Sequence, residues 1–165
     1  MNAEHFIQHL QLQPHPEGGF FKETYRSPGI IPANCLTNDF SGERSYSTAI
    51  YFLLQQGDYS AFHRIASDEC WHFYEGGTLL IHIIDKQGNY SCVQLGRKIH
   101  EGEVFQFVVP ALCWFASEPA PGSEFSLVGC TVSPGFDFAD FEMPDKKALS
   151  KQYPEHSSII HRLCR

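Results

Sequence analysis

His63 and Glu69 are the two residues of this chain best placed to do chemistry together. They lie in the stretch Gly57-x5-His63-x-Ile65-x3-Glu69-x6-Gly76. Read as a β-hairpin, with strands Tyr59–Ile65 and Glu69–Tyr74, the stretch puts both side chains on one inward face of a small barrel. An imidazole in a water-poor aromatic pocket is a good general base, and a carboxyl beside it can orient it or act as a second acid–base group. The competing reading is structural. A buried carboxylate is costly unless paired, and His63, Arg44 or Arg64 would each serve as a partner for Glu69.

Further candidates surround this pair. Glu17 and His15 stand next to Gly18-Gly19 and either line a cavity mouth or cap a turn. The strand Phe20–Tyr25 shows Phe21, Glu23 and Tyr25 on one face by strict alternation, so Phe21 and Glu23 join the candidate ligand-binding set. Gln106 sits among Val and Phe and needs a ligand or backbone partner if it points inward. Trp71, Phe73, Trp114 and Phe115 read as walls of the cavity or of the core. Phe136, Phe138 and Phe141 read as a seal over the barrel end or a subunit contact. His72 alternates away from Glu69 and so away from the cavity, unless a bulge intervenes.

The elements that must position these groups are mostly short strands. Ser45–Leu54, Thr78–Ile84, Tyr90–Leu95, Val104–Val109, Leu112–Ala116 and Phe125–Val132 are rich in β-branched and aromatic residues and bounded by turn formers. The run Asp85-Lys86-Gln87-Gly88-Asn89 marks a hairpin turn. In all, nine or ten strands at hairpin spacing, with no helix long enough for a crossover, predict an all-β sandwich or jelly roll. Residues 3–12 carry a helical apolar stripe with Asn2 as N-cap. A short helix is expected near Asp145–Gln152. Ser27–Gly42 is a polar loop, read as a lid or simply as a long connection. The expected organisation is one domain over 1–165: an N-terminal helix at about 3–12, a barrel at about 18–141 and a tail at 142–165.

Composition sets the outer limits. The 165 residues suffice for one domain with a core, and 42% apolar with 14% aromatic content argues against disorder. The net charge of −7 disfavours nucleic-acid and anionic-membrane surfaces as partners. No apolar run is long enough to span a bilayer and no leader pattern precedes the helix, so a cytoplasmic protein is expected. The six cysteines form no CxxC pair and read as buried thiols.

The Gly57–Gly76 stretch resembles the first motif of the cupin superfamily, G-x5-H-x-H-x3/4-E-x6-G, at five of its six landmarks. A looser echo of the second motif runs from Gly102 to Phe115. The chain is also similar, along nearly its whole length, to the cupin family of domain of unknown function 985 (Cupin 5). The stretches that carry this likeness are 15–27, 47–54, 68–77, 108–116 and 131–141. The resemblance implies a cupin jelly-roll barrel (a double-stranded β-helix) and a homodimer. A metal-binding cupin would hold its ion with three His and one Glu, but two of those positions here are Ile65 and Phe115. No metal and no cofactor are therefore assigned. A fainter resemblance, in Gly19, Phe21, Glu23 and His63, is to cupin epimerases acting on deoxythymidine-diphosphate keto-sugars. It implies a general-base role for His63, while the arginines that meet phosphate there have no counterpart. Arg26, Arg44 and Arg64 are the available substitutes.

The resulting expectation is a cupin that binds a small organic molecule. If it is an enzyme, metal-independent proton transfer on a sugar or keto-acid derivative fits, with His63 and Glu69 catalytic and Glu17, Phe21, Glu23, Gln106, Trp71, Trp114 and Phe115 binding. A non-catalytic ligand-binding or sensor module and a metal-dependent oxygenase are the alternatives.

Overall fold

A computed structural model describes residues 2–165. Helix α1 (Ala3–Leu10) is capped by the Asn2 side chain, which accepts from the His5 amide. The strands follow in chain order: β1 (Gln13–Pro14), β2 (Phe20–Arg26), β3 (Ile30–Ile31), β4 (Arg44–Ser45), β5 (Thr48–Gln55) and β6 (Ser60–His63). Then come β7 (Asp68–Gly76), β8 (Leu79–Ile84), β9 (Tyr90–Leu95), β10 (Gln106–Val109), β11 (Trp114–Pro119) and β12 (Phe125–Ser133). Two helices close the chain, α2 (Lys146–Gln152) and α3 (Ser157–Leu163).

The strands form a jelly roll of two antiparallel sheets. One has the order β1-β2-β5-β12-β7-β10 and the other β6-β11-β8-β9, while β3 and β4 pair by themselves. The interior between the sheets is filled by Phe52, Leu54, Trp71, Ile81 and Phe115, all essentially inaccessible. In β5 alternation decides this: Phe52 and Leu54 point inward, whereas Leu53 joins a separate cluster with α1 residues Phe6, Ile7 and Leu10. Both faces of the strand are thus covered, which is why its sequence reads as an unbroken apolar run. The outer face of the second sheet is covered by α2 and α3, whose Leu149, Ile160 and Leu163 pack on Phe62, Ile84 and Trp114. Among the described residues no helix is long and apolar enough to cross a membrane.

Three local expectations change. β6 and β7 do not form a hairpin: β6 pairs with β11, and β7 pairs with β12 and β10. The linker 64–67 passes from one sheet to the other, so His63 and Glu69 approach each other across the sandwich. Alternation in β2 fails at a bulge between Glu23 and Tyr25, where Thr24 is left without a register partner and its hydroxyl donates to the Ala49 carbonyl. Tyr25 is turned outward by it, at 53% exposure. The third change is helix α3, which the sequence reading did not contain. Its seven residues include an Ile pair of low helix propensity, and packing against the sheet overrides that preference.

Candidate functional site

At one end of the sandwich a cavity of about 230 Å³ opens between the sheets. Five strands contribute to its lining, among them β5 with Thr48 and Ile50. β6 contributes His63, β7 contributes Glu69, and β12 contributes Cys130 and Val132. The loop before β2 brings His15 and Glu17, and β2 itself brings Phe21, Glu23 and Arg26. The mouth is covered by Phe136, Phe138 and Phe141 from the segment after β12, whose rings meet edge-on.

His63 is buried and its orientation is fixed. Its Nδ1 lies 2.8 Å from the Ala61 carbonyl oxygen, which can only accept, so Nδ1 carries the proton. In the neutral ring Nε2 is then the free basic nitrogen, and it has no hydrogen-bond partner among the described residues. Phe115 packs on the ring from one side at 4.1 Å between centroids and Phe141 from the other at 5.2 Å. Burial lowers the pKa of this imidazole, against the pull of the Glu69 carboxyl and the Ala61 hydrogen bond.

Two buried carboxyls flank it. Glu17 Oε1 accepts from the Ser60 hydroxyl at 2.9 Å. Glu17 Oε2 has no hydrogen-bond partner and stands 3.2 Å from His63 Nδ1, whose N–H is directed at Ala61. Burial raises the Glu17 pKa to about 6, opposed by His15, Ser60 and the charge of Arg165. Burial likewise raises that of Glu69, to about 7, with His63 acting to lower it. Burial pushes the Cys130 thiol well up, and the nearby Glu69 carboxyl adds to this. The site therefore holds a neutral imidazole and a carboxyl that keeps its proton close to neutrality, the two states that a base and an acid need at the same pH.

Of the residues expected from sequence, Glu17, Phe21, Glu23, His63 and Glu69 line the cavity together. The other four lie elsewhere, and their placement is a correction. Gln106 is exposed on the outer face of β10, where its amide meets His72 Nδ1 at 2.7 Å. Trp114 faces the C-terminal helices, with the Arg64 guanidinium stacked 4.4 Å from its ring. Trp71 and Phe115 do point inward but are packed into the core below the cavity. His72 stays on the outer face, with Nε2 at 3.0 Å from the Thr131 hydroxyl.

Arg26, Cys130 and Asp137 are cavity residues that pattern reasoning did not place. The bulge that turned Tyr25 out brings Arg26 in, and no residue type in Phe20–Arg26 signals it. Cys130 could have been found, since alternation from Val132 in a two-faced strand predicts it. Residues 27–42 line no part of the cavity, so the expected lid is a connection. What covers the mouth is 136–141, anchored by the buried ion pair of Arg44 with Asp140, by the Arg64–Glu142 pair at 2.7 Å and by the Phe136 amide donating to Thr48 at 2.9 Å.

The donor set does not suit a cupin metal ion. The positions that would complete a His63–Glu69 site hold Ile65 and Phe115, both buried, and the Phe115 ring fills the space beside His63. Among the described residues no three His, Cys, Asp or Glu side chains converge as metal ligands.

With this geometry in view, the chain matches the family described as Cupin superfamily (DUF985) over residues 4–144. It is 34% identical over 148 residues to the uncharacterized protein YML079W of Saccharomyces cerevisiae, covering 84% of this chain and 73% of that one. A hypothetical protein from Leishmania major has the same structure with a TM-score of 0.90 at 36% identity, covering 99% of both chains. Protein SO0799 from Shewanella oneidensis superposes with a TM-score of 0.87 at 42% identity, over 100% of this chain and 98% of that one. A likeness of fold alone extends to oxalate decarboxylase from Bacillus subtilis, with a TM-score of 0.55 at 13% identity over 91% of this chain and 36% of that one.

Proposed function

The chain belongs to the DUF985 (Cupin_5) family of the cupin superfamily, and from that premise we propose that it is a small-molecule cupin catalysing metal-independent proton transfer beside a carbonyl, of the isomerase or epimerase type. The observation that carries this reading is the hydrogen bond from His63 Nδ1 to Ala61, which leaves Nε2 as a base beside the aromatic rings of the pocket. In the proposed step His63 Nε2 removes the proton α to the substrate carbonyl. The electron pair of the broken C–H bond moves into the new C=C bond as the carbonyl oxygen takes the proton held by Glu69, giving an enediol. His63 then returns its proton to the former carbonyl carbon while the hydroxyl on the first carbon gives its proton to the Glu69 carboxylate and becomes the new carbonyl, which completes the isomerisation and restores both residues. Glu17 Oε2 lies beside Nδ1 and stabilises the imidazolium formed midway.

The test is exchange of substrate C–H for deuterium in D₂O, followed by NMR over a panel of hydroxy-carbonyl compounds. We expect exchange with the native protein, loss of at least about 10²-fold in His63→Ala, and a decline above about pH 7 as Glu69 gives up its proton. Exchange that persists in His63→Ala would remove His63 as the base, and no exchange with any compound would leave a non-catalytic ligand-binding module. The ring cover over the mouth suits that second reading equally well.

We also propose a cytoplasmic homodimer. The edge of β2 beyond Phe21 has no strand partner, and Tyr25, Ile30 and Tyr46 are exposed, at 53%, 44% and 57%. Sedimentation equilibrium should give twice the chain mass, and a monomer at micromolar concentration would dismiss the dimer.

A further inference from the structure

Arg26 is the one Lys or Arg on the cavity wall, and its guanidinium has nothing left to offer a ligand. Nε donates to Glu23 Oε1 at 3.1 Å and Nη2 to Glu23 Oε2 at 2.7 Å. Nη1 and Nη2 each reach the Phe136 carbonyl at 3.2 Å, and Nη1 also meets the Ser45 hydroxyl at 3.5 Å. Those five contacts match the five N–H groups of an arginine side chain. The bidentate face, the geometry that would recognise a carboxylate or phosphate, is already taken by Glu23.

The other ionisable groups of the wall are two histidines, held toward the neutral state by burial, and the acids Glu17, Glu69 and Asp137. Asp137 caps the short helical turn at 138–140 through Oδ1, which accepts the Ala139 amide at 2.8 Å. Glu17 Oε1 accepts from the Ser60 hydroxyl, while its Oε2 has no hydrogen-bond partner. A net-acid wall repels an anion more strongly where water is excluded. What remains open to a ligand is the imidazole nitrogen, carboxyl groups able to exchange hydrogen bonds with hydroxyls, and the apolar faces of Phe21, Phe136 and Phe138. The cavity, of about 230 Å³, has room for a small hydroxylated molecule.

We infer that the cavity takes a hydroxylated carbonyl compound that carries no carboxylate or phosphate, and that the Glu23–Arg26 pair at its mouth is the filter that turns those anions away. The carbonyl in this description rests on the proton-transfer reading; the exclusion of anions does not.

Ligand-observed NMR titration tests it with the dihydroxyacetone and D-xylulose pair as neutral probes and hydroxypyruvate as the anion. At least one neutral probe should bind, with hydroxypyruvate weaker by about tenfold or more. Glu23→Gln unpairs Arg26, so hydroxypyruvate binding should strengthen about tenfold, and Glu23→Gln combined with Arg26→Met should remove that gain. Tighter binding of hydroxypyruvate than of both neutral probes, no binding of either neutral probe, or a folded Glu23→Gln protein with no gain for the anion would each overturn the inference. Should Glu23→Gln fail to fold by circular dichroism, the order of the probes on the native protein decides. Neutral binding without deuterium exchange would sink the proton-transfer reading alone, whereas exchange in hydroxypyruvate bound preferentially would sink only the charge filter.

Discussion

Burial of Glu69 makes a single residue responsible for a pH response. Its carboxyl sits at about 7 in the folded protein against an ordinary value of 4.5. Between those values the folded chain holds a proton that the unfolded chain releases. The stability this confers is complete below about pH 4.5 and is lost as pH rises through 7. His63 acts in the other direction: its lowered pKa withdraws stability as pH falls below 6.5. Comparing Glu69→Gln with the native protein isolates the first effect. We expect the variant to gain on the native protein by on the order of 2 kcal/mol between pH 5 and pH 8 in urea melts. A difference that stays flat with pH would mean that Glu69 is ionised and paired in the fold. At this scale, His63 and Glu69 were legible in the sequence because their spacing from flanking glycines is diagnostic. Arg26 was not, because its direction depends on one unpaired residue upstream.

At the scale of elements, the segment after β12 decides access to the site. Phe136, Phe138 and Phe141 lie over the mouth, and they are held there mainly by charge: Asp140 accepts from the Arg44 Nε at 2.6 Å, and both side chains are buried. Removing one member of such a pair leaves the other buried and uncompensated. Asp140→Asn should therefore cost about 3 kcal/mol and raise amide hydrogen exchange across 136–142 above that of β12. Unchanged protection in that segment would show that the rings alone hold it. The linker 64–67 teaches a related lesson. Two strands close in sequence, separated by four residues, read as a hairpin, yet they belong to different sheets. Hairpin signals report local turn chemistry, and here the partner strands β11 and β12 come from some fifty and sixty residues further on.

The whole molecule is a sandwich whose outer faces are themselves partly covered, by α1 on one sheet and by α2 with α3 on the other. This is why so many strands look apolar on both faces. The C-terminal helices are short and gain their stability from packing, not from propensity. Ile160 is fully buried among Phe62, Trp114 and Leu149. Ile160→Ala should cost about 2–5 kcal/mol in denaturant melts, and a loss under about 0.5 kcal/mol would show that α3 is dispensable to the fold.

Strand spacing, alternation and caps were enough to determine an all-β sandwich or jelly roll, the N-terminal helix and the first C-terminal helix, because each is written locally. The family and the His63–Glu69 pair were legible through the resemblance of the Gly57–Gly76 pattern and of the stretches 15–27, 47–54, 68–77, 108–116 and 131–141 to known cupins. Tertiary structure alone decided three other things. It set which sheet each of those strands joins, because pairing depends on distant partners. It set which aromatics wall the cavity: those of the segment after β12 and Phe21 from β2, but not Trp71, Trp114 and Phe115, whose alternation in sequence is equally good. And it decided that Arg26 points into the cavity already bound on all sides, because a bulge and a carbonyl more than a hundred residues away meet there.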